Sequence, residues 1–361
     1  MQKQVNWAPL IAGQAGVVPL SLGIPGVAKT AFFEALAEAT GRRFVPYMLD
    51  QVLPEDLRGF PTLREVEIAG QRRSAMVCFP DADRLRAELE DTVVLLDELT
   101  CAPQHTQAAA LQWINEPSRR SWMFAAANPP EQAAAGVALA PPMVNRLCVV
   151  DWETPVAAIR EGWRNGLEFP EPTVPLLPAG WLGHAAKWGC LLDEYVGKFP
   201  DALEQFPKQK AKAANPFPTP RSWTNVIRLL SAVESVGASK HVRNVLIEGC
   251  VGTAAGMQFR AFLDESNLPG PEEILADPRG FTMPRRGDLA IALVRSVNAA
   301  VEADCTAERW ELLCQVWDHV WSQSKEIGMA TYGRVLKLMP VGCTPPRYGG
   351  WGEMVAVRSG M

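Results

Sequence analysis

Val17-Val18-Pro19-Leu20-Ser21-Leu22 runs into Gly23-Ile24-Pro25-Gly26-Val27-Ala28-Lys29-Thr30, and Ala31 to Ala39 follows with helical spacing. An apolar run, a glycine-rich turn and a helix, in that order, form the setting of a phosphate-binding loop. Gly23 and Gly26 permit backbone conformations that side chains forbid. The loop, with Pro25, Val27 and Ala28 between its fixed points, can then aim its N–H groups at phosphates, at the positive end of the following helix. Lys29 would reach the β- and γ-phosphates, and the Thr30 hydroxyl would ligate Mg2+. Ala28 stands where the general pattern G-x-x-x-x-G-K-[ST] has glycine. The competing reading is a chance Gly/Pro turn ahead of a helix.

A second apolar run, Val93-Val94-Leu95-Leu96, ends in Asp97-Glu98. It delivers two carboxylates to the C-terminal edge of a strand, where ligands bind in open α/β sheets. Asp97 would hold Mg2+ through water and Glu98 would polarise an attacking water. Alone, a strand ending in two acids is a weak signal; beside the loop it supplies the second half of a Mg-nucleotide site. Asn128 follows the run Trp122–Ala127 and either orients that water or closes the strand in an Asn-Pro turn. Arg146 precedes another apolar run, and Arg221 lies in Pro218-Thr219-Pro220-Arg221-Ser222-Trp223 at a helix start. A lone arginine is by default a surface residue.

Phe44–Leu49, Thr92–Leu96, Trp122–Ala127 and Leu147–Trp152 read as further strands, and Pro103–Asn115 as a helix. Glu65–Phe79 alternates around Ala69-Gly70-Gln71 and predicts a hairpin. Strands that do not alternate, separated by helices, indicate a parallel sheet covered on both faces. Pro155 and then Pro170, Pro172, Pro175 and Pro178 mark a linker. Beyond it only helices are predicted: Trp181–Tyr195, Trp223–Val236, Lys240–Leu263, Asp288–Ala303 and Ala307–Ser324. Asn267-Leu268-Pro269-Gly270-Pro271 breaks this series, and the last twenty residues are rich in Gly and Pro. The expected division is an α/β core over 1–152, an all-helical lid over 153–263 and a helical extension over 264–361.

The composition agrees with a folded chain of two or three domains at roughly 100–200 residues each. Of 361 residues, 48% are apolar and 21% charged, which excludes disorder over most of the length. Forty acidic against 35 basic residues give a formal net charge of −5, without the basic excess of a general nucleic-acid binder. No apolar run reaches the ~20 residues that span a bilayer. Met1 to Trp7 lacks the features of a signal peptide. The expectation is a cytoplasmic protein with no membrane partner. Eight cysteines and four histidines are scattered without a C-x-x-C pair, so neither a zinc site nor a disulfide framework is expected. Most cysteines read as small buried hydrophobes.

Taken together, the motifs resemble the MoxR branch of the AAA+ ATPases. Gly23 to Thr30 is similar to that family's G-x-P-G-x-A-K-T, in which alanine is expected at position 28. Leu96-Asp97-Glu98-Leu99-Thr100-Cys101-Ala102-Pro103, with Thr106-Gln107 and Ala109-Ala110-Leu111 to Glu116, resembles its L-D-E-I-N-R-A-P…T-Q…A-L-L…E stretch. Cys101 departs from it, standing where the family has Arg. Ala127-Asn128-Pro129-Pro130-Glu131-Gln132 resembles the sensor-1 segment. Leu139 to Arg146-Leu147 resembles the segment carrying the arginine finger, and Thr219-Pro220-Arg221 the sensor-2 S-P-R. The resemblance covers roughly residues 15–235 and keeps the motif order.

It implies an AAA+ core that hydrolyses ATP with Mg2+, using Glu98, Asn128, Arg146 and Arg221. It also implies a ring of six subunits with Arg146 acting in trans, and work done on a protein partner. Trp181–Leu203 followed by Phe217 to Trp223 resembles a subgroup found with von Willebrand A-type partner proteins. Two rival readings stand beside this: a nucleotide-gated scaffold with little turnover, and an AAA+ motor on nucleic acid. The full catalytic set argues against the first and the acidic balance against the second.

Trp310, Leu313, Cys314, Trp317, Val320 and Trp321 share a helical face and read as a core stripe rather than a docking surface. Gln51 to Pro61 and the hairpin after it, with Arg58, Phe60, Arg72 and Arg73, are either substrate-contacting loops or a solvated hairpin. Lys208-Gln209-Lys210-Ala211-Lys212 reads as a charged loop.

Overall fold

The fold is described from a computed structural model, which covers residues 4–115, 118, 120–129, 138–207, 215–266 and 268–329. Pro130-Glu131-Gln132, Glu116, the Lys208–Lys212 run and the Gly/Pro-rich end lie outside the described residues.

Five short strands form a parallel sheet in the order β2-β5-β6-β1-β7. They are β1 (Pro19–Leu22), β2 (Arg43–Met48), β5 (Thr92–Asp97), β6 (Ser121–Ala127) and β7 (Cys148–Asp151). The register aligns Leu22 with Ala127 on one side of β1 and with Asp151 on the other. The ends of the central strands therefore open at one edge. All of β5 is buried, and its alternate residues serve two cores. Val94 and Leu96 pack with Val45, Tyr47, Trp113 and Met123. Val93 and Leu95 pack with Leu10, Phe33, Leu36 and Phe124. Coverage on both faces is why these strands do not alternate in sequence.

The helices of this part are α1 (Trp7–Gln14), α2 (Lys29–Ala39), α3 (Pro54–Arg58), α4 (Ala82–Leu89), α5 (Gln104–Asn115), α6 (Pro141–Val144) and α7 (Val156–Arg164). In α4 the Asp81 carboxylate caps the Arg84 N–H at 2.6 Å. The expected hairpin forms a separate two-stranded sheet of β3 (Phe60–Ile68) and β4 (Gln71–Phe79). Its two-residue turn, Ala69-Gly70, has φ of 51° and 76°, the positive pair that suits a tight hairpin. Arg58, Phe60, Arg72 and Arg73 are all exposed. Residues 168–178, the proline-marked linker, have no regular structure.

The remainder is helical among the described residues, as read. A 3-10 turn at Trp181–His184 leads into α8 (Ala185–Lys198), followed by α9 (Pro220–Ser235), α10 (Lys240–Val251), α11 (Thr253–Ser266), α12 (Pro271–Ala276), α13 (Gly287–Ala303) and α14 (Ala307–Gln323). One expectation is corrected: Lys240–Leu263 is two helices. Gly252 ends α10 at φ 81°, and a Cβ there would lie 2.4 Å from the Pro216 carbonyl oxygen. The chain turns where only glycine fits.

The chain packs as two compact units. Of the described residues, the first holds those within 4–176, 202–229 and 238–257, and the second those within 177–201, 230–237 and 258–329. The tryptophan stripe is core in the second unit: Trp310, Leu313, Trp317 and Val320 are buried with Leu293, Val297 and Val301. Trp317 donates to Asn298 Oδ1 at 3.2 Å. The cysteines correct another expectation. Of those described, Cys148 and Cys250 are buried, Cys78 and Cys305 are exposed, and Cys101, Cys190 and Cys314 lie between.

Candidate nucleotide site

The loop Gly23–Ala28 joins the end of β1 to the first turn of α2. Its start is tied to the sheet by Gly23 N–H donating to Ala127 O at 3.2 Å. Gly26 has φ 79° and Ala28 has φ 62°. The position that the general pattern gives to glycine is thus left-handed here, although alanine occupies it. Trp152, just past β7, backs the loop: its Nε1 donates to Val27 O at 3.1 Å. A Cβ on Gly23 would lie 2.8 Å from Trp152 Cβ, so glycine is required by close packing at that point. The tryptophan's partnership with the loop has no signal in the local sequence.

Lys29 opens α2 and is buried. Its Nζ donates to Gly23 O at 2.7 Å, to Ile24 O at 3.1 Å and to Asn128 Oδ1 at 3.0 Å. Burial lowers its pKa, against the opposing pull of Asp97 and Glu98. The Asn128 amide continues the chain, Nδ2 donating to Glu98 Oε1 at 3.2 Å and Oε2 at 3.3 Å. The Thr30 hydroxyl donates to Asp97 Oδ2 at 2.6 Å. Asp97 Oδ1 accepts from the Glu98 N–H at 2.9 Å. Five of the expected site residues are thereby joined at the strand edge: Lys29, Thr30, Asp97, Glu98 and Asn128. Asn128 does more than close a turn, because both ends of its amide are engaged inside the set.

The two arginines are not bonded to these five among the described residues. Arg146 follows α6 and donates through Nε to Asn115 Oδ1 and through Nη1 to Pro142 O at 2.6 Å. Its pKa is lowered, first by burial and then by the positive charge of Arg221. Arg221, in the first turn of α9, is exposed. Thr219, ahead of it, is tied to Asn145 beside Arg146: Asn145 Nδ2 donates to Thr219 Oγ1 at 2.9 Å. The structure therefore bonds the five residues around the loop to one another, and ties the start of α9 to the segment that carries Arg146 through Asn145 and Thr219.

Residues 20–139 match the family model of the AAA domain, dynein-related subfamily. This part of the chain is an AAA domain. The match takes in the loop, Asp97-Glu98 and Asn128, and agrees with the resemblance carried by the motifs. The AAA+ core is the α/β sheet described above, and the helical region follows it. No curated protein matches the chain in sequence. Among solved structures, a protein assigned as an ATPase from Cytophaga hutchinsonii is 16% identical with a TM-score of 0.43, over 72% of this chain and 88% of that one. A full-length MCM homologue from Methanopyrus kandleri is 15% identical with a TM-score of 0.33, over 68% of this chain and 54% of that one.

The donor set of the AAA+ site suits a small hard cation. Thr30 and Asp97 offer a hydroxyl and a carboxylate at hydrogen-bond distance, the oxygen chemistry that Mg2+ takes together with phosphate. A cavity of about 1060 Å3 also lies along the outer edge of β7, lined in part by Trp7, Asp151, Glu153, Phe217 and His241. No residue of Gly23–Thr30 lines it. Among the described residues, no helix is long and apolar enough to cross a membrane.

Proposed function

We propose that this AAA+ protein is a MoxR-like ATPase that hydrolyses Mg-ATP to remodel or activate a protein partner. The observation that carries the reading is the bonded set Lys29–Asn128–Glu98 beside Thr30–Asp97. It gathers a cation for phosphate, an amide, a carboxylate base and two metal-type oxygens at one sheet edge.

In this reading the loop N–H groups and Lys29 bind the phosphates. Thr30 and Asp97 would hold Mg2+, which when bound offsets the charge on the phosphate oxygens. Asn128 orients the attacking water, and Glu98 takes its proton at a carboxylate oxygen. Catalysis of this type rests on positioning and charge, and the residues named are held by one another.

Arg146 is read as serving a neighbouring subunit's phosphates, in a head-to-tail ring of six, and Arg221 as the sensor-2 arginine carried by the lid. The bonds of Arg146 to Asn115 and Pro142, rather than to the Lys29 cluster, support its assignment. Residues 1–152 would act as the core, 153–263 as the lid that closes on nucleotide, and 264–361 as an extension. Release of that closure would move the exposed β3–β4 hairpin against substrate. A von Willebrand A-type protein is the partner that the sequence resemblance implies.

Glu98→Gln tests the reading. It should bind Mg-ATP as the wild type does and lose turnover by about 10²-fold or more, the usual weight of a general base. Calorimetry and phosphate release measure the two quantities, and equal turnover in both proteins would remove Glu98 as the base.

A further inference from the structure

The loop after β5 carries a thiol over the same carboxylate. Glu98 sits at φ 56°, and the Cys101 N–H closes the turn by donating to Glu98 O at 2.9 Å. The turn is pinned from both sides. Leu99 N–H donates to Ala126 O at 3.2 Å, and the Thr100 hydroxyl to Asn128 O at 3.1 Å. From α5, Gln107 Nε2 reaches Leu99 O at 3.3 Å and Ala102 O at 3.1 Å. This fixes the backbone of residue 101 close to the side chain of residue 98. Cys101 Sγ then donates to Glu98 Oε2 at 3.2 Å.

We propose that Cys101 is a positioning residue for Glu98, holding the carboxylate that activates water through its S–H. The inference rests on the reading of Glu98 as the base. Two donors meet this carboxylate. The Asn128 amide spans both oxygens at 3.2 and 3.3 Å and alone leaves the group free to rock between them. The thiol selects Oε2 and breaks that symmetry, leaving Oε1 as the oxygen with fewer donors and the better proton acceptor. A thiol is a weak donor, so it restrains the carboxylate without tying up its basicity as an ammonium or guanidinium would. An arginine here would add a charge-assisted bond of about twice the strength. This chain thus sets the orientation of its base with a neutral group.

Steady-state ATP hydrolysis by full-length Cys101→Ala and Cys101→Ser tests the proposal. Cys101→Ala should lower kcat about threefold to tenfold, the weight of one modest hydrogen bond, with KM for Mg-ATP unchanged. Cys101→Ser, which restores a donor, should recover at least half of that loss. On the Glu98→Gln background, Cys101→Ala should change nothing further.

A wild-type kcat in Cys101→Ala overturns the proposal. So does an equal loss in the alanine and serine variants, or a fall in melting temperature that accounts for the lost activity, because either marks a structural role. If Glu98→Gln abolishes turnover while Cys101→Ala does not lower it, only this inference falls. If Glu98→Gln turns over as the wild type does, the assignment of the base falls, and this inference with it.

Discussion

The Thr30 hydroxyl donates to the Asp97 carboxylate at 2.6 Å, joining the first turn of α2 to the end of β5. The two oxygens hold the loop against the strand end, in the arrangement a shared cation needs. Thr30→Ala removes one of them and should weaken Mg-ATP binding about tenfold or more, since hydrogen bonds to charged groups are the stronger ones. ATP binding measured in chelator should change far less. Thr30→Ser keeps the hydroxyl and should behave as the wild type in calorimetry. Chelation of divalent cations should abolish turnover in all three proteins.

Ala28 holds a left-handed conformation at φ 62° and its side chain is exposed. The conformation costs roughly 1–2 kcal/mol for an L-residue. Glycine removes that strain but adds about 0.4–1 kcal/mol of unfolded-chain entropy. Ala28→Gly should therefore lie between unchanged and about 1.6 kcal/mol more stable in urea denaturation. Ala28→Val should be clearly less stable, because a β-branched residue is worse than alanine in that region.

Arg146 is bonded to Asn115 and Pro142 and to none of the Lys29 cluster among the described residues, and its proposed action across a subunit seam is testable. Arg146→Ala should bind ATP normally and hydrolyse it about 10³-fold more slowly, the lower range for an arginine finger. Mixing it with Glu98→Gln subunits should restore part of the activity. At some seams an intact pocket then faces an intact arginine. Mass photometry would report whether mixed rings form, and a dead mixture of confirmed mixed rings would remove Arg146 from the seam.

His184 is buried in the second unit, its Nδ1 2.6 Å from Ser296 Oγ and 3.7 Å from Glu234 Oε2. Its pKa is lowered first by burial; Glu234 and Glu272 oppose the shift and Lys187 adds to it. The folded value thus lies below the unfolded value of about 6.5. The unfolded chain takes up the proton first as pH falls. The stability tied to neutral His184 is fully present above that unfolded value and is lost as pH falls toward the folded value. Urea denaturation at pH 7.5 and 5.5 should show a smaller stability difference in His184→Gln than in the wild type.

The parallel sheet was legible because Val93 to Leu96 and Met123 to Ala127 are buried and read as unbroken apolar runs. The loop was legible because a phosphate loop needs a fixed spacing of glycine, lysine and threonine. The hairpin was legible from Ala69-Gly70. What escaped depends on distant neighbours. The break at Gly252 is set by the Pro216 carbonyl. Helix α1 has no side-chain cap, and Ala8 to Gly13 are all buried, so it shows no polar face to give a period. Helices α3, α4 and α7 are short, with too few turns to establish one. Trp152 over Val27 and Cys101 over Glu98 join residues whose meeting no local pattern records.

The ammonium of Lys29 has three protons, and the structure gives it three acceptors in Gly23 O, Ile24 O and Asn128 Oδ1. The residue is a rivet of the protein's own making: it clamps the start of the loop to the tip of β6. Alanine at this position would leave two carbonyls and an amide oxygen to find other partners, so the loop itself should loosen. Failure to bind ATP in such a variant would then report on the shape of the loop as much as on a missing phosphate contact. A side chain that keeps the rivet and alters only its charge would be needed to separate the two.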